Sequence, residues 1–365
     1  MQRSILIVGT SVMSLYHHRL ELIKTLISKD YKVLVAAPRG GEEKDLEQLG
    51  CKFIHTPVDT RGTSIKKDLQ LLRKIFKIYR EEKPDIVLTF YTKTNIYGGL
   101  LARLLKIPYV ENITGLGTTF SGSSQMAKLM SILYKEAVKN SRLVFFQNKS
   151  NKDFFIKEKL YKGKYVMLPG SGVSLERYAC MEYPKSDNTE FLFVSRIIKE
   201  KGIEEYLFAA EKLKAKYPES IFHVAGPCDS KYEIMIKQAQ DDGTIIYHGK
   251  IYDIQEVLKD VHCTVLPSYY PEGMANVLLE SAASGRPVIT TSLPGCGETV
   301  EDGVTGFIVP EKDGHALAET MERFINTDNE IKKKMGKAGR KKMEKEFNRK
   351  IVTDEYLKII KDTIG

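Results

Sequence analysis

Two glutamates, Glu272 and Glu280, stand eight residues apart around the stretch Glu272-Gly273-Met274-Ala275-Asn276-Val277. The stretch follows an apolar run, Cys263-Thr264-Val265-Leu266, and leads into a segment whose apolar residues recur at helical spacing. A strand, a loop and a helix N-terminus are expected there. Such a turn gathers free backbone N–H groups from Gly273 to Val277 and the positive end of a helix dipole, which suits a phosphate. At 3.6 residues per turn the second carboxylate can face the same side as the loop. Two carboxylates beside a bound diphosphate can accept hydrogen bonds from hydroxyls at either end of it, a sugar at one and a ribose at the other. Arg196 and Lys201 sit in a loop leaving another expected strand, where two cations can neutralise a departing diphosphate. The ordinary alternatives are a strand–helix–strand unit whose glycines only make turns, and a pair of surface cations.

Glu272 with Glu280 resembles the E-x7-E motif of retaining glycosyltransferases of the GT-B fold, in particular glycosyltransferase family 4. Gly285-Arg286-Pro287-Val288-Ile289 and Gly297-Glu298-Thr299-Val300 with the following Asp302-to-Phe307 segment are similar to that family's next two motifs, and Arg196 with Lys201 to its Arg-x4-Lys-Gly pair. The resemblance implies that Glu272 orients the donor sugar, that Glu280 holds the ribose, and that Gly273, Met274, Ala275, Asn276 and Val277 line the diphosphate. Gly249 and Ile251, in His248-Gly249-Lys250-Ile251, take the position of the base. Gly9, which closes the first strand, is placed with the donor-binding residues. The implied transfer retains configuration and needs neither metal nor cofactor, with a UDP-sugar as donor. In agreement with this, the chain has no Asp-x-Asp pair and no CxxC, and its five cysteines are widely spaced.

The elements that must position these residues follow from length and periodicity. At 365 residues two domains are expected. Strands alternate with helices from Ser4 onward and again from Glu190, so each domain reads as a doubly wound α/β sheet, and the resembling fold places two such Rossmann-like domains across a central cleft. The expected domains are 1–170 for the acceptor, 171–345 for the nucleotide-sugar, and a helix at 346–365 crossing back to the first. After the first strand, residues 10–17 are expected as a loop and 18–28 as a helix, and 332–364 as one charged helical stretch.

The first domain carries no histidine in Glu111-Asn112-Ile113-Thr114-Gly115-Leu116-Gly117, where many family members have one. This form resembles a subgroup that extends polyprenyl-diphosphate-linked saccharides in bacterial capsule, O-antigen and glycoprotein assembly. Tyr16, His17 and Arg19 match it too. His17 is therefore expected near the reacting groups, with Tyr16, Arg19, Glu111 and Thr114 on the acceptor side. The rival within the same fold is a UDP-sugar 2-epimerase, which the motif set disfavours.

The 42% hydrophobic and 28% charged composition is that of a soluble globular protein. The net charge of +9 is unevenly spread: residues 1–170 carry 29 Lys+Arg against 15 Asp+Glu, and the rest 27 against 32. The basic half suits an anionic membrane surface. Residues 61–83 alternate Lys and Arg with apolar residues as a basic amphipathic helix would, and 125–139 offer a second apolar segment. No nucleic-acid-binding motif is present, which weakens a non-catalytic binding role. The expected location is cytoplasmic, peripheral on the inner face of the plasma membrane, with a lipid-linked saccharide as acceptor.

Overall fold

The computed structural model describes residues 2–59, 64–115, 125–186, 188–251, 253–271 and 273–365. The chain forms two compact units, Met1–Gly172 with Arg349–Gly365, and Val173–Asn348. These boundaries lie two and three residues beyond the expected 170 and 345.

In the first unit the order is β1 (Ser4–Val8), α1 (Val12–Ser28), β2 (Lys32–Ala37), α2 (Glu43–Gln48), β3 (Lys52–His55), α3 (Ile65–Glu82), β4 (Ile86–Phe90), α4 (Thr92–Leu104), β5 (Tyr109–Ile113), α5 (Gln125–Val138), β6 (Leu143–Phe146), α6 (Lys149–Lys157) and β7 (Tyr165–Met167). All pairings are parallel and the sheet runs β3-β2-β1-β4-β5-β6-β7. Continuous apolar strands such as Ser4–Val8, buried along their whole length, form where helices cover both faces of the sheet. The order reverses between β1 and β4, and ligands of open α/β sheets bind beside the carboxyl ends of the strands at that point.

The loop expected over 10–17 is mostly helix. Ser11 has extended backbone and its side chain accepts from the Ser14 amide, so it caps a helix that starts at Val12. The buried face of α1, Val12, Leu15, Arg19, Leu22, Ile23 and Leu26, keeps helical spacing through the supposed loop.

The second unit contains β8 (Glu190–Val194), α7 (Ile203–Lys216), β9 (Ile221–Ala225), α8 (Glu233–Asp241), β10 (Ile246–Tyr247), α9 (Gln255–Leu258), β11 (Cys263–Leu266), α10 (Asn276–Ala283), β12 (Val288–Thr291), β13 (Gly306–Val309), α11 (Gly314–Ile325) and α12 (Asn329–Glu346). Its parallel sheet runs β10-β9-β8-β11-β12-β13, again reversing beside its first strand. The long charged helical stretch near the end divides into two helices. α12 stops at Glu346 and α13 (Arg349–Ile364) belongs to the first unit, where Tyr356 packs on Phe90 and Phe145. Arg349 fastens the start of α13, donating to the carbonyls of Gly172 and His17 and pairing with Glu21 at 2.8 Å.

Candidate active site

In the second unit the reversal point lies between β8 and β11, and the residues singled out for donor chemistry follow these two strands and their neighbours. β8 ends at Val194. The chain then crosses close to β9, where a Cβ on Gly226 would stand 1.8 Å from the Ser195 carbonyl oxygen, so that position takes glycine. A 3-10 turn over Lys199–Lys201 follows, closed by Gly202 at φ 81. A Cβ at Gly202 would lie 2.3 Å from the Pro267 carbonyl oxygen, so this turn packs directly on the loop after β11. The Glu200 carbonyl locks the two together, accepting from the Tyr269 amide at 2.8 Å and the Ser268 hydroxyl at 3.3 Å.

This interlock brings Arg196 and Lys201 to one aromatic ring. The Arg196 guanidinium lies 5.3 Å and the Lys201 ammonium 5.2 Å from the centre of Tyr270. Lys201 is only 8% exposed. Burial pulls its ammonium down to about 8; Cys296 opposes the shift and Arg196 adds to it. Two cations held against one ring make a place that suits an anion, and a diphosphate is one.

The loop then enters α10 at Asn276. The Ala275 amide is not available to a ligand as expected, since it donates to the Gly295 carbonyl at 2.8 Å. The Gly295 amide in turn donates to the Glu298 carboxylate at 2.6 Å. Glu298 thus belongs to the site as the brace of the α10 entry. The Met274 side chain is buried in the core beneath the loop, and Gly273 is buried beside it. The amides of Asn276 and Val277 open the first turn of α10, where N–H groups have no intrahelical acceptor. Glu280, one turn further, accepts a hydrogen bond from the Tyr178 hydroxyl. Arg340 holds the far end of α10, donating to the carbonyls of Ala283 at 2.9 Å and Tyr178 at 2.7 Å. Glu272 lies outside the described residues.

Gly249, at φ 65, follows β10, and its carbonyl accepts from the Gly226 amide at 2.7 Å. Ile251 is partly buried against the same core as Met274. The structure therefore gathers Arg196, Lys201, Gly249, Ile251, Gly273 to Val277 and Glu280 at the carboxyl edge of one sheet. Among the described residues no group of three or more His, Cys, Asp or Glu is arranged to hold a metal ion.

The first unit treats its expected residues differently. Tyr16 and His17 lie on α1 with rings edge to face at 5.5 Å, both partly exposed. Arg19 is instead a core residue, 4% exposed, stacked on Phe90 at 4.7 Å and donating to the His18 carbonyl; burial lowers its pKa. Helical spacing carries it inward with Leu15 and Leu22. Glu111 is not at a surface either. It points from β5 under α4, fully buried, and a Cβ on Gly99 would meet its oxygen. Strand alternation puts it on the face of Tyr109 and Ile113. Neither carboxylate oxygen has a hydrogen-bond partner among the described residues, and burial raises its pKa well above the usual range. The Gly9 amide is spent on the Ala36 carbonyl, and Leu15 fills the place of a Cβ there. Thr114, partly buried, follows β5, while the rest of the Leu116-Gly117-Thr118-Thr119-Phe120 segment lies outside the described residues.

Tyr91, which sequence reasoning missed, follows β4 at the reversal point. It holds φ 74, a conformation rare for a bulky side chain, and its hydroxyl bonds to that of Ser14. Nothing in the local sequence signals this backbone.

The family model for glycosyl transferases group 1 matches residues 182–342, and that for glycosyl transferase 4-like proteins matches residues 5–148. The chain belongs to the group 1 glycosyltransferases. It is an enzyme with the GT-B fold. It is 25% identical over 95% of both chains to the N,N'-diacetylbacillosaminyl-diphospho-undecaprenol alpha-1,3-N-acetylgalactosaminyltransferase of Campylobacter jejuni. It is 26% identical to the capsular polysaccharide glycosyltransferase CapM of Staphylococcus aureus, covering 94% of each. A similar match, 26% over 90% of this chain and 88% of the other, is the Escherichia coli UDP-Gal:alpha-D-GlcNAc-diphosphoundecaprenol alpha-1,3-galactosyltransferase. Among solved structures, Anabaena HepE in complex with UDP and glucose superposes with a TM-score of 0.80 at 16% identity over 99% of this chain and all of that one.

Proposed function

We propose that this glycosyltransferase moves a hexose or N-acetylhexosamine from a UDP-sugar to a polyprenyl-diphosphate-linked saccharide in capsule, O-antigen or related glycan assembly. The observation that carries the reading is the convergence of Arg196 and Lys201 on Tyr270 beside the entry of α10. A diphosphate there meets two cations and a helix N-terminus, and the cations gain most as charge builds on the leaving group. They supply the charge that a metal would otherwise bring, so the transfer is read as metal-independent. Glu280 takes the ribose and Glu272 the donor-sugar hydroxyls. With no covalent nucleophile assigned, the leaving phosphate assists the incoming hydroxyl on the same face, and configuration is retained. The acceptor class is supported by the names of three relatives of nearly full coverage, two of which print a diphospho-undecaprenol or diphosphoundecaprenol acceptor.

The acceptor's lipid places the work at a membrane, and the first unit offers a surface for it. α3 buries Leu71, Ile75, Ile78 and Tyr79 but leaves Ile65, Leu69 and Phe76 in solvent among its lysines and arginines. α5 leaves Leu129 and Ile132 exposed. One helix can therefore pack on the sheet and still present an apolar, basic strip to anionic lipid. Among the described residues no helix is long and apolar enough to cross a membrane. The location proposed is peripheral, on the cytoplasmic face.

The test is a release assay for UDP and GDP across a panel of nucleotide-sugars, with EDTA and with or without a lipid extract containing polyprenyl-diphosphate saccharides. Extract-dependent UDP release in EDTA, giving a product of the donor's anomeric configuration, is the expected result. An inverted product, or activity lost to EDTA and restored by a divalent cation, overturns the corresponding part of the reading.

A further inference from the structure

A chain of three side chains on the second sheet ends beside the segment assigned to the nucleotide base. The Glu190 carboxylate lies 2.9 Å from Nε2 of His223, and Nδ1 of His223 lies 2.9 Å from Nε2 of His248. β9 pairs in register with β8 and β10, setting His223 opposite Leu192 and Ile246. Alternation then puts Glu190, His223 and His248 on one sheet face. Glu190 and His223 are largely buried, while His248 is exposed and immediately precedes Gly249.

Hydrogen-bond accounting fixes the protons. An ionised carboxylate only accepts, so His223 donates from Nε2. When His223 is neutral its Nδ1 is a lone pair, His248 must donate from Nε2, and Nδ1 of His248 is left as an acceptor. Adding one proton to the pair places N–H on both nitrogens of His223. His248 must then accept at Nε2 and carry its own proton on Nδ1. The proton enters from water, the positive charge rests beside Glu190, and Nδ1 of His248 changes from acceptor to donor.

We propose that His248 is a specificity-determining residue for the donor base, its Nδ1 accepting from the imide N–H of uracil while the histidine pair is neutral and repelling it once the pair is protonated. This rests on the reading that the His248-to-Ile251 segment holds the base. The other groups around the pair are few. Tyr206 from α7 donates to the His223 carbonyl at 3.0 Å, and Gln240 from α8 accepts from the Tyr247 amide. His262 accepts the Glu190 amide on its Nδ1, Lys332 from α12 reaches Thr189 at 3.2 Å, and Lys250 follows two residues after His248. Burial and His223 both hold the His248 imidazole below the usual histidine range.

The test combines histidine NMR titration of the full chain with UDP binding by calorimetry at pH 8 and pH 5.5 for the wild type, His248→Gln and Glu190→Gln. The terminal phosphate of UDP titrates near pH 6 by itself, so the quantity read is the ratio of wild-type to H248Q Kd at each pH. That ratio is expected to rise about fivefold on acidification, the size of one neutral hydrogen bond lost. In E190Q the two histidine titrations shift together to lower pH. A ratio that stays constant while UDP still binds overturns this proposal and leaves the donor reading standing. Failure of the wild type to bind UDP at either pH overturns both. Histidines that titrate independently, with no response to E190Q, overturn the relay whatever the binding shows.

Discussion

The Glu298 carboxylate accepts the Gly295 amide at 2.6 Å, and through Gly295 it holds the Ala275 amide at the mouth of α10. The third motif of the sequence thus acts on the second through backbone. Glu298→Ala frees Gly295 and lets the turn at the entry of α10, assigned to the diphosphate, drift. A loss of turnover of about ten- to a hundredfold is expected, as for small misplacements of a binding loop, with little change in the melting temperature. Steady-state assay beside thermal unfolding separates these; an equal fall in both makes Glu298 a stabilising residue only.

Lys201 has its ammonium pulled down to about 8 by burial. A bound diphosphate favours the charged form, so UDP binding above pH 8 takes up a proton. Affinity should fall as pH rises beyond that point, approaching about tenfold per unit. Lys201→Gln binds weakly but without this slope. Calorimetry in buffers of different ionisation enthalpy counts the protons directly, and a proton count near zero at pH 9 contradicts the assignment.

Glu272→Gln should lower turnover much more than Glu280→Gln, because the first is assigned to the reacting sugar and the second to the ribose. The amide of E280Q can still accept from Tyr178. Comparable small losses in both variants refute the division of roles.

Glu111 is buried with no hydrogen-bond partner among the described residues, and burial raises its pKa. A carboxyl whose folded pKa exceeds its unfolded value contributes stability below the unfolded pKa, near 4.3, and loses it as pH rises towards the folded one. Wild type relative to Glu111→Gln should therefore lose up to about 1.4 kcal/mol per pH unit across that window. Parallel stability–pH curves from denaturant unfolding would count against a neutral Glu111.

Binding to vesicles through α3 and α5 should weaken as salt rises, since polybasic attraction is screened. Ile65→Ser with Leu69→Ser should weaken it further while leaving UDP affinity unchanged. Co-sedimentation that ignores salt and anionic lipid alike excludes this surface.

Much of this protein was legible from its residues. Both sheets announced themselves because parallel strands buried on two faces read as unbroken apolar runs, such as Ser4 to Val8. That Arg196, Lys201, Gly249 and the Gly273–Glu280 stretch follow strands of one sheet was also legible, and strand ends in a doubly wound sheet share one edge. Where side chains point was not legible. Arg19 and Glu111 were expected on the acceptor side, yet helix and strand periodicity turn both inward, and only the packing against Phe90 and Gly99 reveals it. The Ala275 amide looked free because its acceptor, Gly295, is twenty residues away and meets it only in three dimensions. Backbone partners and charge relays such as Glu190–His223–His248 join residues distant in the chain, so tertiary structure alone decides them.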